Sequence, residues 1–210
     1  MKKLTLLMAI LLAAGFAFAQ DDYYNNEVET IFSNQRSNGG YGAFTLGYTQ
    51  IDGRDAMVAG ARGAFIFDHS FAIGIAGYGF VNDLEYHNYQ ANPEDRFFLA
   101  GGYGGVFFEP IVGGTKPVHV SFPIVVGMGG ISLVEHTGWE WDHYHDYQEY
   151  DTDLFFVFEP GVELEFNLTR FFRIATYGSY RLTSDIKLYD TNPDVLRGFN
   201  VGMTFKFGKF

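Results

Sequence analysis

Large apolar residues alternate with small or polar residues along most of the chain between residues 40 and 210. The alternation is clear near residue 160, where Phe158, Val162 and Leu164 share one face of an extended chain and Glu159 and Glu163 share the other. A period of two is typical of a strand with one apolar face. Beyond residue 20 there is no long stretch with the i, i+3, i+4 spacing of an amphipathic helix, so the chain is predicted to be all-β.

Turn-forming residues divide this region into eight segments with strand character. They are residues 40–51, 56–67, 71–81, 97–111, 117–134, 154–166, 171–183 and 198–210. Each is long enough to cross a bilayer at the tilt of a barrel strand, for which about 9 to 11 residues suffice. The sequence therefore predicts an eight-stranded antiparallel barrel over residues 40–210, with no second domain.

The connections between the segments alternate in length. Those after segments two, four and six are tight, whereas those after segments three, five and seven are long, and only the first connection departs from the pattern. In an up-and-down meander, this places long and short connections at opposite ends, as in outer-membrane barrels. We therefore expect a transmembrane barrel with extracellular long loops and both termini in the periplasm.

The distribution of large and charged residues predicts which face of each strand points inward. The interior of an eight-stranded barrel is only just wide enough for side chains to fill it, so the rows of small and charged residues are expected inside. A structural charge cluster is predicted there, in which Glu159, Glu163 and Glu165 face Arg173 and Arg181 across neighbouring strands. A secreted, soluble barrel or β-sandwich would instead bury the large apolar rows.

The N-terminal residues have the layout of a secretory signal peptide. Lys2 and Lys3 precede a short apolar run, and Ala17 and Ala19 form a small-x-small cleavage site. A membrane anchor is the alternative, but the run is short and has no charged stop-transfer flank. Residues 1–19 are therefore predicted to be cleaved, and residues 20–39 to form a short periplasmic segment.

The composition of the chain excludes disulfide bonds and argues against nucleic-acid binding. The chain has no cysteine, so no disulfide can stabilise it after export. It has 25 acidic against 14 basic residues and a formal net charge of −11, which is the wrong sign for binding nucleic acid. The 23 Phe, 14 Tyr and 26 Gly are instead typical of a strand-rich chain.

Several stretches resemble known outer-membrane proteins. The final strand, "NVGMTFKFGKF", ends on Phe210 and resembles the C-terminal signal that the barrel-assembly machinery recognises. The eight-strand plan resembles the small OmpA- and OmpX-like barrels. The stretches most similar to a group of small Gram-negative outer-membrane proteins without an established function are "ETIF", "GGYGAFTLGYT", "GARGAFIFDHSFAIGIAGYGF", "KPVHVSFPIVVGMGG" and "FEPGVELEFNLTRFFRIATYGSYR". The resemblance implies insertion into outer-membrane lipid and contact with the assembly machinery, and it brings no catalytic or cofactor-binding residues.

The acidic loop, residues 135–153, concentrates side chains that can bind metal ions. His143 and His145 are flanked by Asp142 and Asp146, and the loop contains no lysine or arginine. Carboxylates suit calcium, whereas imidazoles suit zinc, copper or nickel. The spacing matches no established zinc motif, so a solvated acidic loop with an aromatic rim is the alternative. No other cofactor is expected.

One pair of residues raises the question of catalysis. His119 and Ser121 form an H-x-S pair similar to one in lipid A deacylases, which are also eight-stranded barrels. The pair is expected inside the barrel and near the periplasmic end, away from outer-leaflet lipid. We therefore predict a monomeric, non-enzymatic barrel with a structural, adhesive or surface-binding role. A membrane-embedded lipid-modifying enzyme and a narrow channel remain the alternatives.

The metal hypothesis for the acidic loop can be tested by calorimetry. Titration of the folded protein with calcium or zinc should give a binding heat that is lost in the His143→Ala, His145→Ala double variant, because the imidazoles would be ligands. Equal heats for the wild type and the variant, or no heat for either, would contradict the hypothesis.

Overall fold

The described residues form a closed ring of antiparallel strands. The structure is a computed structural model that describes residues 38–82, 96–136, 149–188 and 191–210. The strands are β1 (Asn38–Ile51), β2 (Arg54–Phe67), β3 (Phe71–Asn82), β4 (Arg96–Val112), β5 (Val118–Ser121), β6 (Ile124–His136), β7 (Glu149–Asn167), β8 (Phe172–Thr183) and β9 (Gly198–Lys209). Within these ranges, no helix is long and apolar enough to cross a membrane. The predicted signal peptide and most of the 20–39 segment lie outside the described residues.

Eight positions make up the ring, because β5 and β6 share one of them. Phe122 and Pro123 interrupt the strand, and proline has no N–H to donate. The register on β7 continues unchanged across the interruption, from Ser121 opposite Glu163 to Ile124 opposite Pro160. Each of the eight positions pairs with the next, and β9 pairs with β1 from Gly40 opposite Lys209 to Thr49 opposite Asn200. The predicted eight-stranded up-and-down barrel is confirmed.

An apolar belt covers the outer face of the ring. Its large side chains include Phe44, Met57, Phe65, Ile75, Met128, Leu154, Phe156, Phe158, Val162, Phe199, Met203 and Phe207. The most exposed are Leu154 at 78%, Phe199 at 74%, and Phe65 and Ile75 at 72% each. A soluble barrel or sandwich would bury these residues. The belt therefore contradicts the soluble alternative and confirms that the large apolar rows point outward.

Glycines inside the ring make room for large lumen side chains. A Cβ atom added to Gly60 would lie 2.2 Å from a ring carbon of Tyr78, and one added to Gly47 would lie 2.0 Å from the hydroxyl of Tyr177. Real Cβ atoms do not approach other atoms this closely. The two tyrosines can therefore lie flat across neighbouring strands only because the glycines leave the inner wall bare.

The two ends of the ring differ. The short-turn end carries the connections 68–70, 113–117 and 168–171. The other end, which we call the long-connection end, carries the described parts of the β8–β9 connection, residues 184–188 and 191–197. The first hairpin, at the long-connection end, turns on Asp52 and Gly53 with φ values of 54° and 70°. Positive φ at both positions is typical of a two-residue hairpin turn, which explains why this connection alone breaks the alternation in length.

The interior at the long-connection end is apolar, in contrast to the small and charged interior predicted from the sequence. Strand residues there, among them Ile51, Leu99, Ile131, Phe155 and Val157, form one buried cluster with Ile186, Leu188, Val195 and Leu196 of the β8–β9 connection. The expectation that the inward rows consist of small and charged residues is therefore wrong at this end, and Phe107 and Ile111 show that large apolar residues also lie inside towards the short-turn end. The connection supplies its own apolar side chains, so large inward-facing residues gain a partner surface and seal the mouth.

Ring closure predicts resistance to denaturation by detergent at room temperature. Unboiled protein should migrate differently from boiled protein on a denaturing gel, because a closed ladder leaves no strand edge from which unfolding can begin. Thr204→Pro should abolish the shift, since Thr204 pairs with Thr45 of β1 and Ala175 of β8 and proline removes its ladder N–H. Identical mobility of boiled and unboiled wild-type protein, together with solubility in detergent-free buffer, would contradict the fold.

Candidate functional site

All five residues of the predicted charge cluster lie inside the ring and are buried. Glu163, Glu165 and Arg173 belong to one network of charged side chains towards the short-turn end. Glu159 and Arg181 lie apart from it, nearer the long-connection end. We call the first group the lumen network and define it as Arg62, Glu109, His119, Ser121, Glu163, Glu165, Arg173 and Lys206.

Lys206 is the centre of the lumen network. Its Nζ lies 2.5 Å from Glu109 Oε1, 2.8 Å from Glu163 Oε2 and 2.7 Å from Glu165 Oε1. One oxygen from each of these carboxylates lies within 4.8 Å of the others, which is the kind of cluster that can hold a metal ion. Here the lysine ammonium contacts all three carboxylates, and its three N–H donors match them in number.

Arg62 is the second cation that contacts these carboxylates. Its Nη2 donates to both oxygens of Glu163, at 2.8 and 2.6 Å, and lies 3.7 Å from Glu109 Oε1. Its guanidinium carbon also lies 4.7 Å from the ring centroid of Phe107. Ion pairing and cation–π contact together compensate the burial of this charge.

Both carboxylate oxygens of Glu109 also accept hydrogen bonds from neutral donors. Tyr41 donates its hydroxyl to Glu109 Oε2 at 2.5 Å, and Ser121 donates to Oε1 at 2.9 Å. A buried carboxylate without such donors would bear the full cost of losing its hydration. Glu109 is therefore held by two neutral side chains as well as by Lys206.

Glu165, His119 and Arg173 complete the lumen network at the short-turn end. Glu165 Oε2 lies 3.2 Å from His119 Nε2 and 3.6 Å from Arg173 Nη1. Arg173 also donates to the carbonyl of Gly114 at 3.2 Å, and its guanidinium carbon lies 3.9 Å from the ring centroid of Phe210. Because the Phe210 ring stacks on Tyr41 at 5.9 Å, it joins β1 and β8 across this end of the lumen.

The prediction that Arg181 pairs with a glutamate is wrong. The register places Arg181 across from Glu159, because Phe158 pairs with Leu182 and Gly161 with Ser179. Its Nε instead donates to the carbonyl of Leu196 at 2.7 Å, and its guanidinium lies near the rings of Phe80 and Tyr103. Arg181 is thereby drawn towards the β8–β9 connection, which was predicted to be an external loop.

Glu159 is held by neutral donors instead. Tyr103 and Ser179 donate hydroxyl groups to it at 2.5 Å each, and Asn200 donates its amide at 2.8 Å. Three hydrogen bonds to a carboxylate compensate much of its desolvation without a cation.

The charge cluster predicted from the sequence did not include Arg62 and Glu109. Both lie on the inward face by the period of two, Arg62 between Ala61 and Gly63 and Glu109 between Phe108 and Pro110. The alternation of inward and outward positions along each strand is therefore enough to predict that both side chains face the lumen. Their partners could not be found in the same way, because Arg62 on β2 reaches Glu163 on β7 across the lumen and not along a neighbouring strand.

His119 and Ser121 are both buried in the lumen, as their parity predicts. Ser121 donates to Glu109 and His119 faces Glu165, and the two side chains are not hydrogen-bonded to each other. A serine nucleophile needs a base within hydrogen-bonding reach. The arrangement in this structure is therefore that of two network residues. The predicted loop ligands His143, His145, Asp142 and Asp146 lie outside the described residues.

A small cavity lies between the charged groups. A cavity of about 20 Å³ is lined by Arg62, Glu163 and Glu159 together with Tyr78, Tyr177 and other side chains. This volume is enough for about one water molecule. With the apolar cluster at one end and Phe210 at the other, the described interior is packed.

Comparison with known proteins supports the fold. No protein-family model matches the sequence, and comparison with curated proteins gives no match. Neisserial surface protein A has a similar structure, with a TM-score of 0.51 and 10% identity over 84% of this chain and 100% of that protein. The chain therefore has the fold of a small outer-membrane β-barrel, which confirms the predicted resemblance at the level of the fold.

Two further structures have lower TM-scores. The N-terminal β-barrel domain of Pseudomonas aeruginosa OprF gives 0.42, with 10% identity over 81% of this chain and 96% of that domain. Ail of Yersinia pestis gives 0.43, with 11% identity over 81% of this chain and 95% of Ail.

Removal of Lys206 should destabilise the barrel. Lys206→Met leaves three buried carboxylates with Arg62 close to Glu109 and Glu163 and with Arg173 close to Glu165. Loss of one partner from a buried ion pair costs about 3–5 kcal/mol. The free energy of unfolding in micelles, measured by urea titration, should fall by about that amount. The loss should be smaller in the Lys206→Met, Glu109→Gln double variant, because one unpaired charge is removed with the lysine.

The matched control is Lys209→Met, which changes an exposed lysine on the same strand. Its effect on the free energy of unfolding should stay within about 0.5 kcal/mol. Equal effects of the two single substitutions would show that Lys206 is not the centre of the network.

Proposed function

We propose that this protein is a monomeric, non-enzymatic barrel of the bacterial outer membrane with a structural, adhesive or surface-binding role. The observation that carries the proposal is the combination of an exposed apolar belt with a packed interior. Such a molecule presents its water-facing surfaces at the two ends of the ring. The long connections are proposed to be extracellular and both termini periplasmic.

The belt supports embedding in lipid. Its side chains surround a ring in which each strand is paired on both sides, so the described strands leave no open sheet edge. Spanning the hydrocarbon core requires that backbone groups be satisfied internally, and a closed barrel meets this requirement. Outer-membrane lipid is therefore the proposed first partner.

The packed interior supports a scaffold over a narrow channel. At the short-turn end the lumen network fills the ring, and at the long-connection end Ile186, Val195 and Leu196 close it. A conducting path would require both layers to rearrange. We therefore expect purified protein in a planar bilayer to give no discrete conductance steps.

The proposed second partner is the barrel-assembly machinery, which would recognise the C-terminal strand. In the closed ring, β9 is paired with β1 on one side and β8 on the other. The edge that later pairs with β1 is therefore available to a partner only before closure. Recognition of β9 by the assembly machinery before the ring closes is compatible with this pairing.

The enzymatic alternative has a separate test. The described residues contain no nucleophile hydrogen-bonded to a base in the arrangement expected for His119 and Ser121. Mass spectra of lipid A should therefore be unchanged when the gene is deleted or overexpressed. A new acylation state that depends on Ser121 would favour the enzyme.

Orientation can be tested by cysteine labelling, because the natural chain has no cysteine. Lys187→Cys introduces a thiol on the β8–β9 connection, and Thr115→Cys introduces one in the turn between β4 and β5; both positions are exposed. A membrane-impermeant maleimide should label Lys187→Cys in intact cells. It should label Thr115→Cys only after the outer membrane has been permeabilised.

The two cysteine variants serve as controls for each other in the labelling experiment. Both variants should be labelled equally as purified protein in detergent, which controls for thiol reactivity. The reverse pattern in intact cells would invert the proposed orientation, and labelling of both would contradict insertion in the outer membrane.

A further inference from the structure

A groove lies on the outer side of the barrel at the long-connection end. Its volume is about 650 Å³, within the range of about 300–1,000 Å³ that is typical of ligand sites. It forms where the β1–β2 turn, the ends of β8 and β9, and the β8–β9 connection meet. Its lining includes Asp52, Tyr180, Asn192, Asp194, Arg197 and Phe199.

The groove exists because the connection folds inward. Val195 and Leu196 are buried in the mouth of the ring, and this leaves the outer rim above Phe199 uncovered. Hydrogen bonds hold the segment in place, from Arg181 Nε to Leu196 O at 2.7 Å and from Asp52 N to Val195 O at 3.4 Å. The polar wall is therefore anchored to the barrel, which reduces the ordering cost of binding.

The floor of the groove is aromatic. Phe199 is 74% exposed and makes an edge-to-face contact with Tyr180, with ring centroids 4.8 Å apart. Tyr48 and Val201 extend the same outward surface. Tyrosines are enriched where a membrane meets water, so the groove is placed at the lipid boundary with its polar wall above the apolar floor.

The wall is polar and acidic. Asp52, Asp194 and Asn192 line it, and Arg197 is its single cation. Arg197 is already engaged, because its Nη2 lies 2.5 Å from Asp185 Oδ1 and its Nε donates to Thr183 O at 2.9 Å. A phosphate or sulfate group would therefore meet carboxylates with no uncommitted cation to compensate them, which disfavours an anionic ligand.

We propose that this groove binds a neutral saccharide. An exposed aromatic ring offers a flat surface for the C–H face of a sugar ring, while carboxylate oxygens accept hydroxyl hydrogens and an amide can both donate and accept. The proposal rests on the proposed function, because a groove at this end meets saccharides only if the long connections are extracellular. The sugar can be free or can be the head group of an outer-leaflet glycolipid.

The test uses the purified full chain in detergent and a panel of short malto-, cello- and N-acetylglucosamine oligosaccharides. Isothermal titration should show saturable binding of at least one neutral member and weaker binding of a sulfated disaccharide. Phe199→Ala should weaken that binding at least about fivefold, because it removes the stacking surface. Asp194→Asn should also weaken binding, since it replaces an acceptor for sugar hydroxyls.

Phe207→Ala is the matched control. Phe207 is an outward-facing phenylalanine on the same strand but lies at the short-turn end, where it packs on Phe172. Its substitution should leave saccharide affinity unchanged. Equal losses for the two phenylalanine variants, no binding to any neutral oligosaccharide, or tighter binding of the sulfated probe would each overturn the proposal.

A second arm separates the two sources of sugar. The same oligosaccharide is presented as a glycolipid in nanodiscs, with phosphatidylglycerol nanodiscs as the blank. Tighter binding of the lipid-linked form identifies a glycolipid head group, and equal binding identifies a free saccharide. If Lys187→Cys were not labelled in intact cells, only the proposed orientation of the barrel would be refuted. If the wild-type protein bound no neutral saccharide in detergent, only the proposed saccharide site would be refuted.

Discussion

Closure of the ladder between β1 and β9 is the constraint on which the other features depend. A membrane-spanning sheet cannot leave backbone groups unpaired, so the last strand must meet the first. With eight positions in the ring, closure also sets an interior that side chains alone can fill. The outer face must then be apolar, and the inner face must satisfy its polar groups without bulk water. The belt and the lumen network follow from one requirement.

The interior satisfies its charges by balance and by hydrogen bonding. Among the described residues, four glutamates are buried together with three arginines and one lysine, so the buried carboxylates equal these cations in number. Lys206 contacts three of the carboxylates, whereas Glu159 is held by hydroxyl and amide donors. Such a network binds together strands that are not neighbours in the ring. Its removal one group at a time is therefore costlier than its replacement as a whole.

The β8–β9 connection couples the interior to the outer surface. By burying Ile186, Val195 and Leu196, it closes the mouth, draws Arg181 away from Glu159 and uncovers the groove above Phe199. A sealed interior and an open rim groove thus have one cause. This supports a role in which the surface of the barrel, and not its lumen, meets other molecules.

The period of two and the turn residues determined the number of strands, their approximate limits and the face each presents to lipid. These properties depend on neighbours along the chain or on the adjacent strand. They can therefore be predicted from the alternation of apolar and polar residues. Parity also placed Glu159, Glu163, Glu165, Arg173 and Arg181 in the lumen.

Only the tertiary structure decided which of these side chains meet. Arg62 reaches Glu163 and Lys206 reaches Glu109 across the lumen, and Arg181 turns to a carbonyl of a connection that has no strand period. Such contacts depend on the diameter of the ring and on the path of the β8–β9 connection. Neither can be predicted from the alternation of apolar and polar residues along single strands. The path of that segment was decided by burial of its apolar side chains in a mouth that exists only once the ring has closed.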